Sequence, residues 1–304
     1  MPTSKRLVFF GNERLVSGLK HCDTPVLTGL IDRGYDIAAV VVNHTDTVSR
    51  NARELEVKAV AEAHGIPVLS PHKPTDIVNE LAQLGADAAV LSAYGRILPE
   101  RIINVFKPVG IVNIHPSLLP RHRGPTPIET TILSGDTEAG VSIMQLSPGM
   151  DDGPLYGQFR VAVAPRATKF ELYEQLSTAG AELLFSLLPN ILNGTLQPTP
   201  QENNDVSFTS LISKQHAYMS PLTEDATTIE RKVRAYLSFP KTKLTYQNNV
   251  VIVTSATVVE SPEKSSLCIA CAHNTWLRID ELIAPSGRRM TSQAFLNGLR
   301  SHRS

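Results

Sequence analysis

Leu7-Val8-Phe9-Phe10-Gly11 and Ile37-Ala38-Ala39-Val40-Val41-Val42 are two short, unbroken apolar runs near the start of a 304-residue chain. Runs of this length without polar alternation read as strands buried on both faces, as in parallel sheets. Between them, residues 25–33 carry apolar side chains at Val26, Leu27, Leu30 and Ile31, the three-and-four spacing of one helix face, and Gly34 follows as a stop. Strand, helix and strand make one crossover unit.

Working outward, the alternation continues. Residues 52–64 read as a helix stopped at Gly65, Val68-Leu69 as a brief strand, residues 77–84 as a helix stopped at Gly85, and residues 88–92 as a strand. A further strand, 110–115, ends at Pro116, which cannot donate to a sheet ladder and turns the chain outward. The pattern predicts an α/β fold with a doubly wound, Rossmann-like parallel sheet. Segments 141–146 and 157–163 supply its last strands, and a long helix over 169–192 closes at Asn193-Gly194.

Residues 194–205, with two prolines and paired asparagines, lose all periodicity and read as a linker. Beyond a helix at about 227–237, segments 250–259, 267–271 and 275–283 are rich in β-branched residues and separated by polar turns, as in a small β-barrel of the oligonucleotide-binding (OB) type. A chain of this length exceeds what one core usually organises. The expected division is a first domain over 1–193, a linker over 194–205 and an OB-like barrel domain over 206–304.

Composition, at 42% hydrophobic and 19% charged, fits a globular protein and excludes fibrous and disordered classes. No apolar run approaches the roughly 18 residues that span a bilayer, and Met1-Pro2-Thr3-Ser4-Lys5-Arg6 leads straight into a strand, so neither a membrane partner nor a signal peptide is expected. Three cysteines, Cys22, Cys268 and Cys271, are too few for a disulfide framework and point to the cytoplasm. Cys268-Ile269-Ala270-Cys271 with His273 could be half of a zinc site or a redox pair, but strand residues three apart face opposite sides and no second pair exists. Structural cysteines and no metal are the expectation.

Residues 206–304 hold 12 Lys and Arg against 7 Asp and Glu, a net of +5, leaving 17 against 22, or −5, for residues 1–205. Such asymmetry points either to a nucleic-acid partner for the basic half or to ordinary charge scatter.

Asn113 and His115 lie two apart on the predicted strand, so they share a face with α-carbons about 7 Å apart. The carboxyl end of a parallel strand is where ligand crevices open in such sheets. Ser117-Leu118-Leu119-Pro120-Arg121-His122-Arg123-Gly124 follows as a rigid loop able to close over a substrate, and Ser147-Pro148-Gly149-Met150-Asp151-Asp152-Gly153-Pro154 places two carboxylates in a constrained turn. One of them can reach His115. An amide can donate to a developing oxyanion, and an imidazole oriented by a carboxylate can move protons near neutral pH, which suits acyl transfer to an amine. The same residues also have structural uses, since an Asn and a His can serve packing and an Asp can cap a turn.

Val112-Asn113-Ile114-His115-Pro116-Ser117-Leu118-Leu119-Pro120-Arg121-His122-Arg123-Gly124, with Gly140-Val141-Ser142-Ile143-Met144-Gln145 and Gly149-Met150-Asp151-Asp152-Gly153-Pro154, resembles the folate-dependent formyltransferase family. The resemblance implies Asn113, His115 and Asp151 as the catalytic set. It implies 10-formyltetrahydrofolate as co-substrate, held by Ala93, Tyr94, Gly95, Ile97 and Leu98 and by Ser117, Leu118, Leu119 and Pro120. Lys232-Val233-Arg234-Ala235-Tyr236, Ser286-Gly287-Arg288-Arg289-Met290 and Phe295-Leu296-Asn297-Gly298 extend the likeness to members that act on an aminoacylated initiator tRNA. On that resemblance the acceptor is the α-amine of methionyl-tRNA in translation initiation. Arg50, Lys241, Lys243, Arg288 and Arg289 are the candidates for nucleic-acid contact, with a solvated surface face as the alternative, and a monomer is the expected working unit. An amino-sugar nucleotide, glycinamide ribonucleotide, hydrolysis of the carrier, or tRNA binding without turnover are the alternatives. Three departures stand out: the loop 43–50 is short and barely basic, Ser238-Phe239-Pro240-Lys241-Thr242-Lys243 lacks the usual Pro-Trp-Pro character, and Gly11-Asn12-Glu13 replaces a Gly-Thr-Pro start.

Overall fold

A computed structural model describes residues 5–44, 55–202, 204–263 and 265–301. The chain runs β1 (Arg6–Gly11), α1 (Pro25–Asp32), β2 (Asp36–Val41), α2 (Glu56–Ala63), β3 (Val68–Leu69), α3 (Val78–Gln83), β4 (Ala88–Ser92), α4 (Glu100–Ile103) and β5 (Ile111–His115). It continues through α5 (Pro127–Ser134), β6 (Glu138–Gln145), β7 (Leu155–Ala162) and α6 (Lys169–Leu192). These strands form one seven-stranded sheet in the order β3-β2-β1-β4-β5-β6-β7, the doubly wound arrangement that the alternation predicts.

Pairings from β3 through β5 are parallel, whereas β5–β6 and β6–β7 are antiparallel. The apolar content of 141–146 and 157–163 announces strands there but carries no information on their direction. The helix predicted over 52–64 appears as α2 from Glu56, and residues 45–54, including Arg50 and most of the short loop, lie outside the described residues.

Both faces of the sheet are covered. One apolar cluster joins Leu7, Phe9, Val90, Val112, Ile114, Val141 and Ile143 to α1, α5 and α6, and a second joins Val8, Phe10, Leu91 and Ile111 to Leu81, Leu98, Ile102 and Phe106. Helix ends are set locally. Thr168 caps α6 by accepting from the Glu171 amide, while the Glu171 carboxylate accepts from the Thr168 amide at 2.8 Å. α5 starts on Pro127 and stops at Gly135, whose φ of 73° is left-handed.

Helix α1 is capped from a distance: the buried Glu13 carboxylate accepts from the Val26 and Leu27 amides at 2.8 Å each. Burial pushes Glu13 up to about 7, against the opposing pull of those two bonds. At the amino end of α6, Lys169 is fully buried, 3.8 Å from Glu129 of α5, and donates to Ser17 Oγ at 3.2 Å and the Phe239 carbonyl at 3.1 Å. Burial holds the Lys169 ammonium down at about 8 and raises Glu129.

The second sheet follows α7 (Ala226–Ala235). It comprises β8 (Thr242–Tyr246), β9 (Asn249–Val259), β10 (Leu267–Cys271), β11 (Thr275–Ile283) and β12 (Arg289–Thr291), with α8 (Ser292–Ser301) behind it. All its pairings are antiparallel, in the order β10-β11-β9-β8 with β12 also on β11. No pairing joins β8 to β10 among the described residues, so the expected small barrel is an open half-barrel. Cys268 and Cys271 are free thiols on β10.

The described residues of 194–212 contain no regular helix or strand, yet they pack against the first sheet. Leu155 and Thr199 exchange backbone hydrogen bonds at 2.7 and 2.8 Å, and residues 207–209 run beside Arg123.

Candidate active site

Asn113 and His115 are each 5% exposed on β5. Ile111 shares their face and belongs to the second cluster, while Val112 and Ile114 point into the first. The polar end of β5 therefore continues the face on which α3 and α4 pack, beyond the apolar contacts. Leu91 of β4 pairs with Asn113 on one side, and Met144 and Ser142 of β6 pair with Asn113 and His115 on the other.

His115 Nε2 lies 3.0 Å from the carbonyl oxygen of His122. A carbonyl only accepts, so Nε2 carries the proton and Nδ1 holds the free lone pair of the neutral ring. Nδ1 faces Asp151 Oδ2 at 3.7 Å, within ion-pair reach and too long for a hydrogen bond. The sequence left two carboxylates in this turn as partners for His115. Asp152 instead accepts from Ser147 Oγ within its own turn.

Asp151 is held at both ends. Its backbone is left-handed, with φ of 49°, and its Oδ2 accepts from the Gly124 amide at 2.7 Å. Its carbonyl accepts from Gln201 Nε2 at 2.8 Å, and Gln201 Oε1 accepts from Arg123 Nη2 at 2.6 Å. Gly124 has φ of 107°, and a Cβ there would lie 2.8 Å from Thr209 Oγ1. Only glycine lets residues 207–209 lie against the amide that anchors Asp151.

The loop that delivers the His122 carbonyl is fixed from below. Buried Ser142 Oγ donates to the Ser117 carbonyl at 2.6 Å and accepts from the Leu119 amide at 3.1 Å and from Gln158 Nε2 at 2.9 Å. Asp136 takes His122 Nε2 at 2.7 Å and Arg121 Nη2 at 2.9 Å, while the His122 amide donates to Ser207 Oγ at 2.9 Å. Ser142, Gln201, Ser207 and Thr209 all escaped the sequence reading. A polar residue inside the apolar strand 141–146 was the one available signal, for Ser142; the others act across more than 45 residues of chain.

The structure divides the residues expected around a folate carrier. Ala93 and Gly95, with left-handed φ of 54° and 71°, turn the chain at the end of β4 beside Asn113's strand, and Ile97 is 78% exposed. Tyr94 and Leu98 are buried in the second cluster, Tyr94 edge-on to Phe10 with ring centres 5.5 Å apart. Ser117 and Leu119 are buried beside β6, and Leu118 packs over Gly140. Tyr94, Leu98, Ser117 and Leu119 therefore lie in the walls of this region, while Ala93, Gly95 and Ile97 lie on its exposed turn. Pro120 is half-buried in the loop.

Of the basic candidates, Lys241 and Lys243 lie at the start of β8, with the Lys243 ammonium 5.2 Å from the Tyr218 ring centre. Arg288 and Arg289 lie at the start of β12, on the far side of the strand order, and Arg289 pairs with Glu281 at 2.5 Å.

The formyl transferase family model matches residues 12–188, and the model of the formyl transferase C-terminal domain matches residues 212–300. The chain belongs to the formyl transferase family. A methionyl-tRNA formyltransferase of Methylococcus capsulatus is 34% identical to this formyl transferase over 306 residues, covering 96% of each chain. Among solved structures, the N-formyltransferase from Helicobacter canadensis in complex with folinic acid and dTDP-3-aminofucose covers 91% of this chain and 98% of its own, with a TM-score of 0.67 at 17% identity. HypX from Aquifex aeolicus in complex with tetrahydrofolic acid matches with a TM-score of 0.65 at 17% identity, covering 97% of this formyl transferase, which spans only 47% of HypX. At such identities the two structures speak for the shared fold.

Proposed function

We propose that this formyl transferase moves the formyl group of 10-formyltetrahydrofolate to the α-amine of methionyl-tRNA, on initiator tRNA, with Asn113, His115 and Asp151 as the reacting set. The observation that carries the reading is the Asp151–His115 pair at 3.7 Å beside Asn113, in a chain aligned along 96% of its length with a methionyl-tRNA formyltransferase.

The geometry supports the following roles. The Asn113 amide donates to the formyl oxygen as negative charge grows on it. His115 Nδ1 takes the proton that the attacking amine must shed and returns it to N10 of the carrier as the bond between N10 and the formyl carbon breaks, with Asp151 stabilising the imidazolium between the two transfers. Because Nε2 stays committed to the His122 carbonyl, the ring cannot turn its basic nitrogen away. The amine belongs to the acceptor, so no covalent enzyme intermediate is required.

A carrier would lie along the turn at Ala93, Gly95 and Ile97. Asn43 supports that fit: its Nδ2 donates to the Tyr94 carbonyl, and its buried Oδ1 has no partner among the described residues, so it can accept from a ring N–H. On this reading residues 1–193 carry the three reacting side chains, 194–205 connect the domains while Gln201 braces Asp151, and the domain 206–304 faces the tRNA through Lys241, Lys243, Arg288 and Arg289, the whole acting as a cytoplasmic monomer.

The test is a single-turnover assay offering methionyl-tRNA, glycinamide ribonucleotide, an amino-sugar nucleotide and water to the loaded enzyme. Methionyl-tRNA should be formylated fastest, and His115→Ala should abolish transfer. Preference for another acceptor, or transfer that survives His115→Ala, overturns the reading.

A further inference from the structure

Two large apolar side chains stand in solvent on either side of the Gly124–Asp151 contact: Phe208 is 64% exposed and Met150 is 51% exposed. Phe208 is carried on a braced segment. The Thr209 amide donates to the Arg123 carbonyl at 2.7 Å, the Arg123 amide to the Ser207 carbonyl at 2.9 Å, and the Thr126 amide to Thr209 Oγ1 at 3.1 Å. Met150 borders the same glycine, since a side-chain carbon on Gly124 would lie 3.5 Å from its sulfur. Leu211, 76% exposed, continues this apolar edge to a cavity of about 390 Å³ that Pro125, Thr126 and Ile212 also line.

Apolar groups gathered in solvent beside a reaction centre mark a place where a partner lies. The partner here is the acceptor, which must bring its amine to His115 and Asp151. Arg123 is buried and bound to Gln201, so phosphate attraction from that cation is not on offer at this spot. An aromatic face on a rigid support suits a nucleobase, which stacks irrespective of its identity.

We propose that Phe208, backed by Met150, is a stacking platform for a base in the single-stranded 3′ end of the acceptor tRNA. The proposal rests on the reading that the amine is tRNA-borne.

Steady-state transfer to methionyl-tRNA by the full chain and by Phe208→Ala and Phe208→Trp tests it. Phe208→Ala should raise KM by about 5- to 100-fold, with a far smaller change in kcat. Because no counterion is released, that ratio should hold across salt concentrations. Phe208→Trp should keep KM close to the parent value, and the trinucleotide CCA should quench its added fluorescence; the native tryptophan, Trp276, lies on β11 in the other sheet. If the parent enzyme formylates methionyl-tRNA and Phe208→Ala does so with unchanged KM, the platform is refuted. It is refuted equally if Phe208→Ala raises KM for the formyl carrier as much as for tRNA, which marks a structural role, or if the change alters only oligomeric state. A parent enzyme that leaves methionyl-tRNA untouched removes the functional reading and the platform with it.

Discussion

Replacing Asp151 by Asn separates a proton-handling carboxylate from a turn-capping one. Asn tolerates the left-handed backbone that Asp151 adopts at φ 49°, and its side-chain oxygen can still accept from the Gly124 amide. The loop therefore stays in place and only the charge is lost. At the 3.7 Å that separates Asp151 Oδ2 from His115 Nδ1, unit charges in an effective dielectric of about 20 attract by about 4 kcal/mol. That attraction exists only when His115 is protonated, so it is withdrawn from the transition state and leaves the resting enzyme little changed. The rate of transfer should fall by about a thousandfold. Single-turnover formylation of methionyl-tRNA measures it, with thermal unfolding confirming that the variant folds. In a His115→Gln background the same substitution should cost almost nothing further, because the two residues act as a unit. Transfer by Asp151→Asn within tenfold of the parent would refute the reasoning and leave Asp151 as a cap.

Other consequences concern stability. Lys169→Met strands the buried Glu129 carboxylate and should cost about 3–5 kcal/mol in urea unfolding, most of it regained on adding Glu129→Gln. Burial already pushes Glu129 up, so the loss should shrink as acid protonates it. Glu13, raised from 4.5 to about 7, binds a proton more tightly in the folded chain than in the unfolded one. Its contribution is full below pH 4.5 and lost as the pH climbs through 7, a fall on the order of 3 kcal/mol that Glu13→Gln should abolish in unfolding curves taken across that window. Ser142→Ala leaves the Ser117 carbonyl and the Leu119 amide without their buried partner and should cost about 1–3 kcal/mol by thermal unfolding, with slower transfer as the His122 carbonyl drifts.

The first half of the sheet was readable because β1, β2 and β4 are written as short apolar runs, and the 169–192 helix because an Asn-Gly stop closes it. Strand direction at β6 and β7 was hidden, since burial looks the same either way along a strand. β8 was missed because its five residues are short and partly polar. Asn113 and His115 could be placed on one face by counting in twos, but nothing local says that Asp151, rather than Asp152, meets the imidazole. That choice is made by Gly124 and Gln201, which come to Asp151 from distant parts of the chain, with Thr209 lying against Gly124.

The path of residues 194–212 has a consequence for anyone cutting or recombining this protein. A stretch that resembles a tether in composition supplies Gln201, Ser207 and Thr209 to the walls of the reaction centre. A fragment ending at residue 193, or a chimera spliced there with a foreign half-barrel, keeps all three reacting side chains and forfeits the brace that aims one of them. Nor is a cut after residue 212 clean, because Ala235 and Tyr236 belong to the first core cluster and the Phe239 carbonyl accepts from the buried Lys169 ammonium.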